Sequence, residues 1–125
     1  MKQVLAVIRS QSINRTREAL VSAGVSGFTV RKVLGRGKGK AGFRVPPAPE
    51  EGPIEVITPP LGDGPMLVPR RLLSVVVPDD RVAPVVQTII DANRTGTFGD
   101  GKIFVLPVRE AIRIRTNESG SKALE

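Results

Sequence analysis

Three short stretches hold residue types at spacings that could do chemistry, and all three suit an anion. The first is Thr95-Gly96-Thr97-Phe98-Gly99-Asp100-Gly101-Lys102. Gly96 to Lys102 spells GxxxxGK, the opening of a phosphate loop, but Ile103 stands where a magnesium-holding Ser or Thr belongs. The hydrophobic pattern also puts this loop after a helix and before a strand, the reverse of a true phosphate loop, so that fold is rejected. What remains is three close glycines whose amides can approach an anion, with Lys102 adding a point charge. A tight turn needing positive φ explains the same glycines. The second stretch is Arg113-Ile114-Arg115. On an extended backbone its two guanidiniums would share one side, suited to a polyphosphate, while Ile114 packs inward. Two solvated surface charges are the plainer reading. The third is Gly35-Arg36-Gly37-Lys38-Gly39-Lys40, a positive strip rich in exposed amides that resembles many RNA-binding segments.

Composition narrows what those stretches can serve. The 125-residue chain has no Cys and no His, which removes thiolate chemistry, disulfides and the commonest general base and metal ligand. No Asp/Glu cluster of metal-ligand or acid–base type accompanies the three stretches, so binding without turnover is the expectation. The net charge is +7, and residues 1–36 hold seven Lys/Arg against one acid. Such a balance invites a nucleic-acid reading. With four Phe and no Tyr or Trp, stacking aromatics are nearly absent, which favours a smaller anion or an acidic partner. No run approaches the ~20 apolar residues of a membrane span, and no cleavage pattern follows the N-terminal apolar stretch. The expected location is cytoplasmic.

The elements that must position these residues follow from hydrophobic period. Val4 to Ile8 has strand length, with Asn14 able to cap a helix whose face carries Thr16, Ala19, Leu20 and Ala23, stopped by Gly24. Phe28 to Leu34 reads as a second strand. Residues 37–69 carry eight of the eleven prolines and six glycines, which predicts a long exposed loop, with Glu55-Val56-Ile57 the only candidate for a brief strand. Leu72 to Val77 reads as a strand buried on both faces. Asp79-Asp80 can cap the next helix, whose apolar positions Val82, Val85, Val86, Ile89 and Ile90 follow i, i+3, i+4, i+7, i+8, with Pro84 confined to its first turn. Ile103 to Leu106 is the last strand, and residues 112–125 form a partly mobile tail. The whole of 1–125 is one domain, and the order βαββαβ predicts an α+β, ferredoxin-like split βαβ sandwich with both helices on one face of the sheet. The other face would stay apolar and uncovered, so self-association is expected.

Several separated motifs together resemble the PII nitrogen-regulatory signalling proteins. Thr95-Gly96 with Gly99 to Val105 resembles their TG…GDGKIFV, and Ile112 to Thr116 resembles their IRIRT. Arg17 to Leu20, Gly27, Thr29-Val30 and Val75 to Asp80 match as well. The resemblance spans about residues 1–36 and 69–123. It implies a non-enzymatic trimer, or a hetero-oligomer with a paralogue, holding ATP or ADP in clefts between subunits and 2-oxoglutarate at the root of the long loop. Carried over by position, the nucleotide would meet Val7, Thr29, Gly35, Arg36, Gly37, Lys38, Val76, Gly99, Asp100, Gly101, Lys102, Phe104, Arg113 and Arg115. The 2-oxoglutarate candidates are Gly39, Lys40 and Arg70. Gly39 stands where the family has a Gln that completes magnesium coordination, Arg70 where it has a Lys, and Ser74 where it has a Glu, so magnesium would come only with ATP. The long loop is about a dozen residues longer than usual in the family, and Thr58 is its only hydroxyl, so uridylylation and serine phosphorylation lack an acceptor. These departures, with Val33 to Lys38, Asn93 to Gly96 and Val105 to Val108, are similar to the nitrogenase-associated branch. The implied partner is then a nitrogenase component engaged through residues 37–69, with an ammonium transporter or another metabolic enzyme as the alternative. A basic RNA-binding module is more remote, and a nucleotide-processing enzyme more remote still.

Overall fold

The computed structural model describes residues 1–37 and 67–124. Along the chain run β1 (Lys2–Arg9), a 3-10 turn at Ser10–Ser12, α1 (Ile13–Ser22), β2 (Thr29–Gly35), β3 (Val68–Val77), a second 3-10 turn at Asp79–Arg81, α2 (Val82–Asn93), β4 (Lys102–Pro107) and a last 3-10 turn at Gly120–Leu124. The strands form one sheet in the order β2-β3-β1-β4. Every pairing is antiparallel. This is the βαββαβ ferredoxin-like sandwich that the hydrophobic pattern predicts.

Period-2 alternation decides which side of the sheet is covered. On β1, Val4, Ala6 and Ile8 are buried while Gln3, Leu5 and Val7 are only half-buried. On β3, Leu73, Val75 and Val77 are buried while Leu72, Ser74 and Val76 are not fully covered. The expectation that this strand is buried on both faces is therefore corrected: the helices cover one face only. Leu20 of α1 and Val85 and Ile89 of α2 close the core over that face, with Val82, Val86 and Ile103 packed at its margin. Burying a side chain of this size contributes roughly 1.5–3 kcal/mol. Across the helices, Asn93 Nδ2 donates to Thr16 Oγ1 at 3.0 Å and to the Ile89 carbonyl at 2.9 Å.

Element ends differ from expectation in four places. Helix α1 starts at Ile13 behind Ser12, so Asn14 lies inside its first turn, where its Oδ1 accepts from Arg17 at 3.4 Å instead of capping. Asp79 and Asp80 occupy a 3-10 turn and the N-cap of α2 is Arg81. Asp79 instead pairs with the Met1 amino group at 2.9 Å. That hydrogen bond, and the amine's charge, hold its carboxyl below the usual range. Pro84 does sit in the first turn of α2, where an amide would lack an intrahelical partner anyway. Val68 and Pro69 belong to β3, not to the loop, and pair with Gly35 and Leu34. Strand β1 ends opposite Arg70, so Pro69 has a neighbour on one side only, a position where a missing donor is tolerated. The expected strand at Glu55 to Ile57 lies outside the described residues.

The tail supplies the fourth difference. Arg113 N–H donates to the Glu118 carbonyl and Asn117 N–H to the Arg113 carbonyl, both at 2.8 Å, with Asn117 at φ 60°. An isolated bridge joins Ile112 to Ser119. Arg113-Ile114-Arg115 is thus part of a tight turn, not an extended segment, and Ile114 is fully exposed instead of packing inward.

Candidate functional site

The glycine-rich connection between α2 and β4 is built around one carboxylate. Arg94 N–H closes α2 onto the Ile90 carbonyl at 2.8 Å. Asp100 Oδ2 then accepts from the amides of Thr95 and Gly96 at 2.8 and 2.9 Å, and Oδ1 accepts from the Thr95 hydroxyl and from Arg9 Nη1, the latter at 2.8 Å. Burial raises the proton affinity of this carboxyl, but the bonds from Thr95, Gly96 and Arg9 outweigh it and hold Asp100 far below the usual carboxylate range. Gly96, Gly99 and Gly101 all have positive φ, so the turn reading of the glycines is correct as far as their backbone goes. A Cβ on Gly101 would stand 2.0 Å from the Val7 carbonyl oxygen. Only glycine lets β4 start against β1 at this point.

Two arginines hold the loop from the sheet side. Arg9 is 5% exposed. Its Nη2 donates to the Phe98 carbonyl at 2.9 Å and to Thr97 Oγ1 at 3.1 Å, so with Asp100 one planar fork makes three bonds. Arg70 is its partner in the β1–β3 register, and its Nη1 donates to the Gly99 carbonyl at 3.1 Å. Burial, and then the neighbouring Arg9 charge, lower the pKa of Arg70. Among the described residues Arg9 is matched by a carboxylate, whereas the described bond of Arg70 goes to a neutral carbonyl. Gly35, where β2 ends and the long segment begins, lies against Arg70: a Cβ there would be 3.7 Å from the Arg70 Cγ.

Sheet parity gathers most of the other candidates onto the uncovered face. Val7 pairs with Leu72 on one side and Lys102 on the other. The next row outward runs Thr29, Ser74, Leu5, Phe104, and the next carries Val76, Gln3 and Leu106. Directly paired residues share a face, so Val7, Thr29, Val76, Lys102 and Phe104 all stand on the face opposite the helices. Phe104 is 52% exposed there. Gly99, Gly101, Lys102, Arg70 and Gly35 cluster at one end of it, with Arg36 and Gly37 following in the chain. Asp100, expected to meet a nucleotide, turns its carboxylate into the loop. Lys38, Gly39 and Lys40 lie outside the described residues. Arg113 and Arg115 are not brought to the cluster by their own strand: their tail leaves the sheet at Pro107, the end of β4 away from Lys102. Arg113 is held by Glu118 Oε1 at 3.0 Å and the Lys122 carbonyl at 2.7 Å.

Arg9 is the residue that sequence reasoning missed. The available signal was parity: Arg9 follows the apolar run Val4 to Ile8 in the same register as Val7, two residues on, and so had to emerge at the end of the uncovered face. Among the described residues no group of three or more Asp/Glu could hold a metal ion. No helix among them is long and apolar enough to cross a membrane.

Comparison with known proteins agrees with this geometry. The family model described as nitrogen regulatory protein P-II matches residues 1–118. The chain is 41% identical over 132 residues to "Nitrogen fixation nifHD region GlnB-like protein 2" of Methanobacterium ivanovii, covering 99% of each. It is 44% identical over 127 residues to the protein of the same name from Methanothermococcus thermolithotrophicus, covering 99% of this chain and 98% of the relative. Among solved structures it is similar to Arabidopsis thaliana PII bound to citrate, with a TM-score of 0.71 and 36% identity over 98% of this chain and 90% of that one. The chain therefore belongs to the nitrogen regulatory protein P-II family, with relatives named for the nitrogen fixation nifHD region.

Proposed function

We propose that this P-II protein is a cytoplasmic, non-catalytic sensor of nitrogen status that binds ATP or ADP, with 2-oxoglutarate beside it, and controls a nitrogenase component through residues 37–69. One observation carries the ligand part: Arg70, half-buried and without an acidic partner among the described residues, stands between the glycine loop and the root of the long segment. A guanidinium so placed favours an anion, and the carbonyl it now holds is a weak substitute for a carboxylate or phosphate. The residues fit a nucleotide: Lys102 and the loop amides suit phosphates, and Val7, Val76 and Phe104 give an apolar floor for a base. Magnesium would enter with ATP. Citrate, held by the Arabidopsis relative, is also a carboxylate ligand. The uncovered sheet face supports a trimer, homomeric or shared with a paralogue, in which the tail arginines of one copy reach the cleft of the next.

The mechanism follows from where the anion sits. A ligand drawing Arg70 away from the Gly99 carbonyl changes the contacts at Gly35, and so biases the segment that starts there, with no covalent modification. The test is calorimetry with ATP, ADP and 2-oxoglutarate, followed by capture of dinitrogenase on the intact protein and on a chain lacking residues 41–67. Discrete micromolar nucleotide sites and ligand-dependent, segment-dependent capture are expected. Affinity for RNA that falls steeply with salt, in place of discrete nucleotide sites, would favour the RNA reading. Capture of an ammonium transporter or a metabolic enzyme instead of dinitrogenase would move the partner and leave the sensor.

A further inference from the structure

We infer that Arg9 is the positioning residue of the phosphate end of this site, acting through Asp100 and not on the ligand. Three observations converge on it. All three described bonds of its buried fork go to the loop: Asp100 Oδ1, Thr97 Oγ1 and the Phe98 carbonyl. Asp100 hands that restraint onward from its other oxygen, because Oδ2 is the acceptor for the Thr95 and Gly96 amides. The loop closed in this way is the one that carries the Gly99 and Gly101 backbones and delivers Lys102 to the uncovered face. Arg9 and Arg70 lie side by side, and an ideal Cβ on Gly99 would be 3.2 Å from Arg70 Nη2 and 3.4 Å from Arg9 Nη2. Asp100 neutralises one of these like charges, which leaves the other to receive an anion. The pair thus divides the work: Arg9 sets the loop and Arg70 faces the ligand. Removing Arg9 frees Asp100 to swing, and a mobile carboxylate beside a phosphate site repels what the site should hold.

The first test needs no ligand. Amide exchange is followed by NMR on the full-length wild type, Arg9→Gln, Asp100→Asn and the double variant. Arg9 makes no bond to the Thr95 or Gly96 amide, yet R9Q is expected to speed exchange at both on the order of tenfold, and D100N to do the same. Amides of β1 and β3 that pair in the sheet interior should keep their protection. Wild-type protection of Thr95 and Gly96 in R9Q, alongside its loss in D100N, would overturn the inference. If R9Q does not fold, Thr97→Val removes one of the same bonds without touching a charge; because the Thr97 hydroxyl also meets that of Thr95, T97V is read at the Gly96 amide, and unchanged exchange there would count equally against it. The second test rests on the nucleotide reading above and uses ADP. Each single variant should weaken ADP about tenfold or more, and the double variant should be no weaker than the worse single one. Losses that multiply would mean that Arg9 touches the ligand independently, and would overturn the assignment. A wild type that binds no ADP would refute the functional reading while the exchange experiment still decides the role of Arg9.

Discussion

Gly101→Ala is expected to unfold the chain at a markedly lower temperature, and the structure gives the size of the effect. Gly101 has φ 113°, a conformation that costs an alanine roughly 1–3 kcal/mol. Its Cβ would also stand 2.0 Å from the Val7 carbonyl oxygen, a full ångström inside any ordinary contact. The obstructing atom is backbone at the first pair of the β1–β4 ladder, where Val7 meets Lys102, so it cannot rotate away as a side chain would. Relieving such overlap costs another 1–3 kcal/mol or so. Together these give about 4 kcal/mol, which at roughly 4 °C per kcal/mol for a chain of this length lowers the melting temperature by about 15 °C. Gly96→Ala is the matched control. Gly96 also has positive φ, 85°, but an added Cβ would meet nothing within 4 Å. It should lose only the conformational part, about 1–2 kcal/mol or roughly 6 °C. Scanning calorimetry on both variants reads the contact by difference. Melting of G101A within about 3 °C of G96A would show that β4 does not start against Val7 as described.

The other expectations can be read with the same preparations. Asp100 has a depressed folded-state pKa, so its contribution to stability is complete above the ordinary carboxylate value and is lost as pH falls below it. The melting difference between wild type and Asp100→Asn should therefore be constant from pH 8 to 5 and shrink below about pH 4, and a difference that grew on acidification would contradict the loop network. Thr16→Val keeps the shape but removes the hydroxyl that donates to the Ser12 carbonyl at 2.7 Å and accepts from Asn93, which should cost about 1–3 kcal/mol by urea denaturation; no change would mean that the buried pair contributes nothing net. Arg113→Ala and Arg115→Ala should each weaken ATP or ADP by roughly 2–5 kcal/mol in calorimetry if they are buried against phosphate. R115A is the cleaner probe, because R113A also releases the tail from Glu118 and Lys122. Unchanged affinity in both would leave the two arginines as surface charges.

What was legible in the sequence is what depends on local period. Val4, Ala6 and Ile8 alternate with half-buried neighbours, and Val82, Val85, Val86 and Ile89 recur at helical spacing, so the elements followed from side-chain geometry alone, whereas the unbroken apolar run Leu72 to Val77 concealed that only one face of β3 is covered. What failed depends on one or two residues choosing between nearby partners. Asn14 and Asp79 are both competent caps, but each helix is preceded by a 3-10 turn that shifts its start by a residue or more, and the Met1 amine offers Asp79 a charged partner. The Arg113 turn is set by Asn117 at positive φ and by Glu118, neither of which disturbs the alternation that made Arg113 to Arg115 look extended. The Arg9–Asp100 bond joins residues 91 apart in sequence. No local pattern marks it. The family motif drew attention to Asp100 as a ligand contact, when its neighbours use it as the internal anion of the loop.

In the proposed trimer, the same alternation that builds the core would also tie ligand binding to assembly. Because both helices take one face of the sheet, every odd-numbered position of β1 and every even-numbered position of β3 falls on the other, and that face keeps its charged groups and its most exposed large apolar groups apart. Toward the Arg9 end it carries Arg70 and Lys102 around the glycine loop; toward the other end it carries Phe104 at 52% and Leu106 at 39% exposure, large apolar groups that the described residues leave open. Leaving them in water forgoes roughly 25 cal/mol for each square ångström that a neighbouring copy could bury. In the trimer proposed above, covering that apolar half is the step that would carry a tail with Arg113 and Arg115 toward another copy's Lys102. Each copy would then supply one half of the anion site and require a neighbour for the other. Under that arrangement a bound nucleotide favours the assembled state over the separated one by mass action, and assembly in turn raises nucleotide affinity. In the function proposed above, the response to ligands would need no further machinery: the sheet face that would hold the anion is the face that would hold the neighbour.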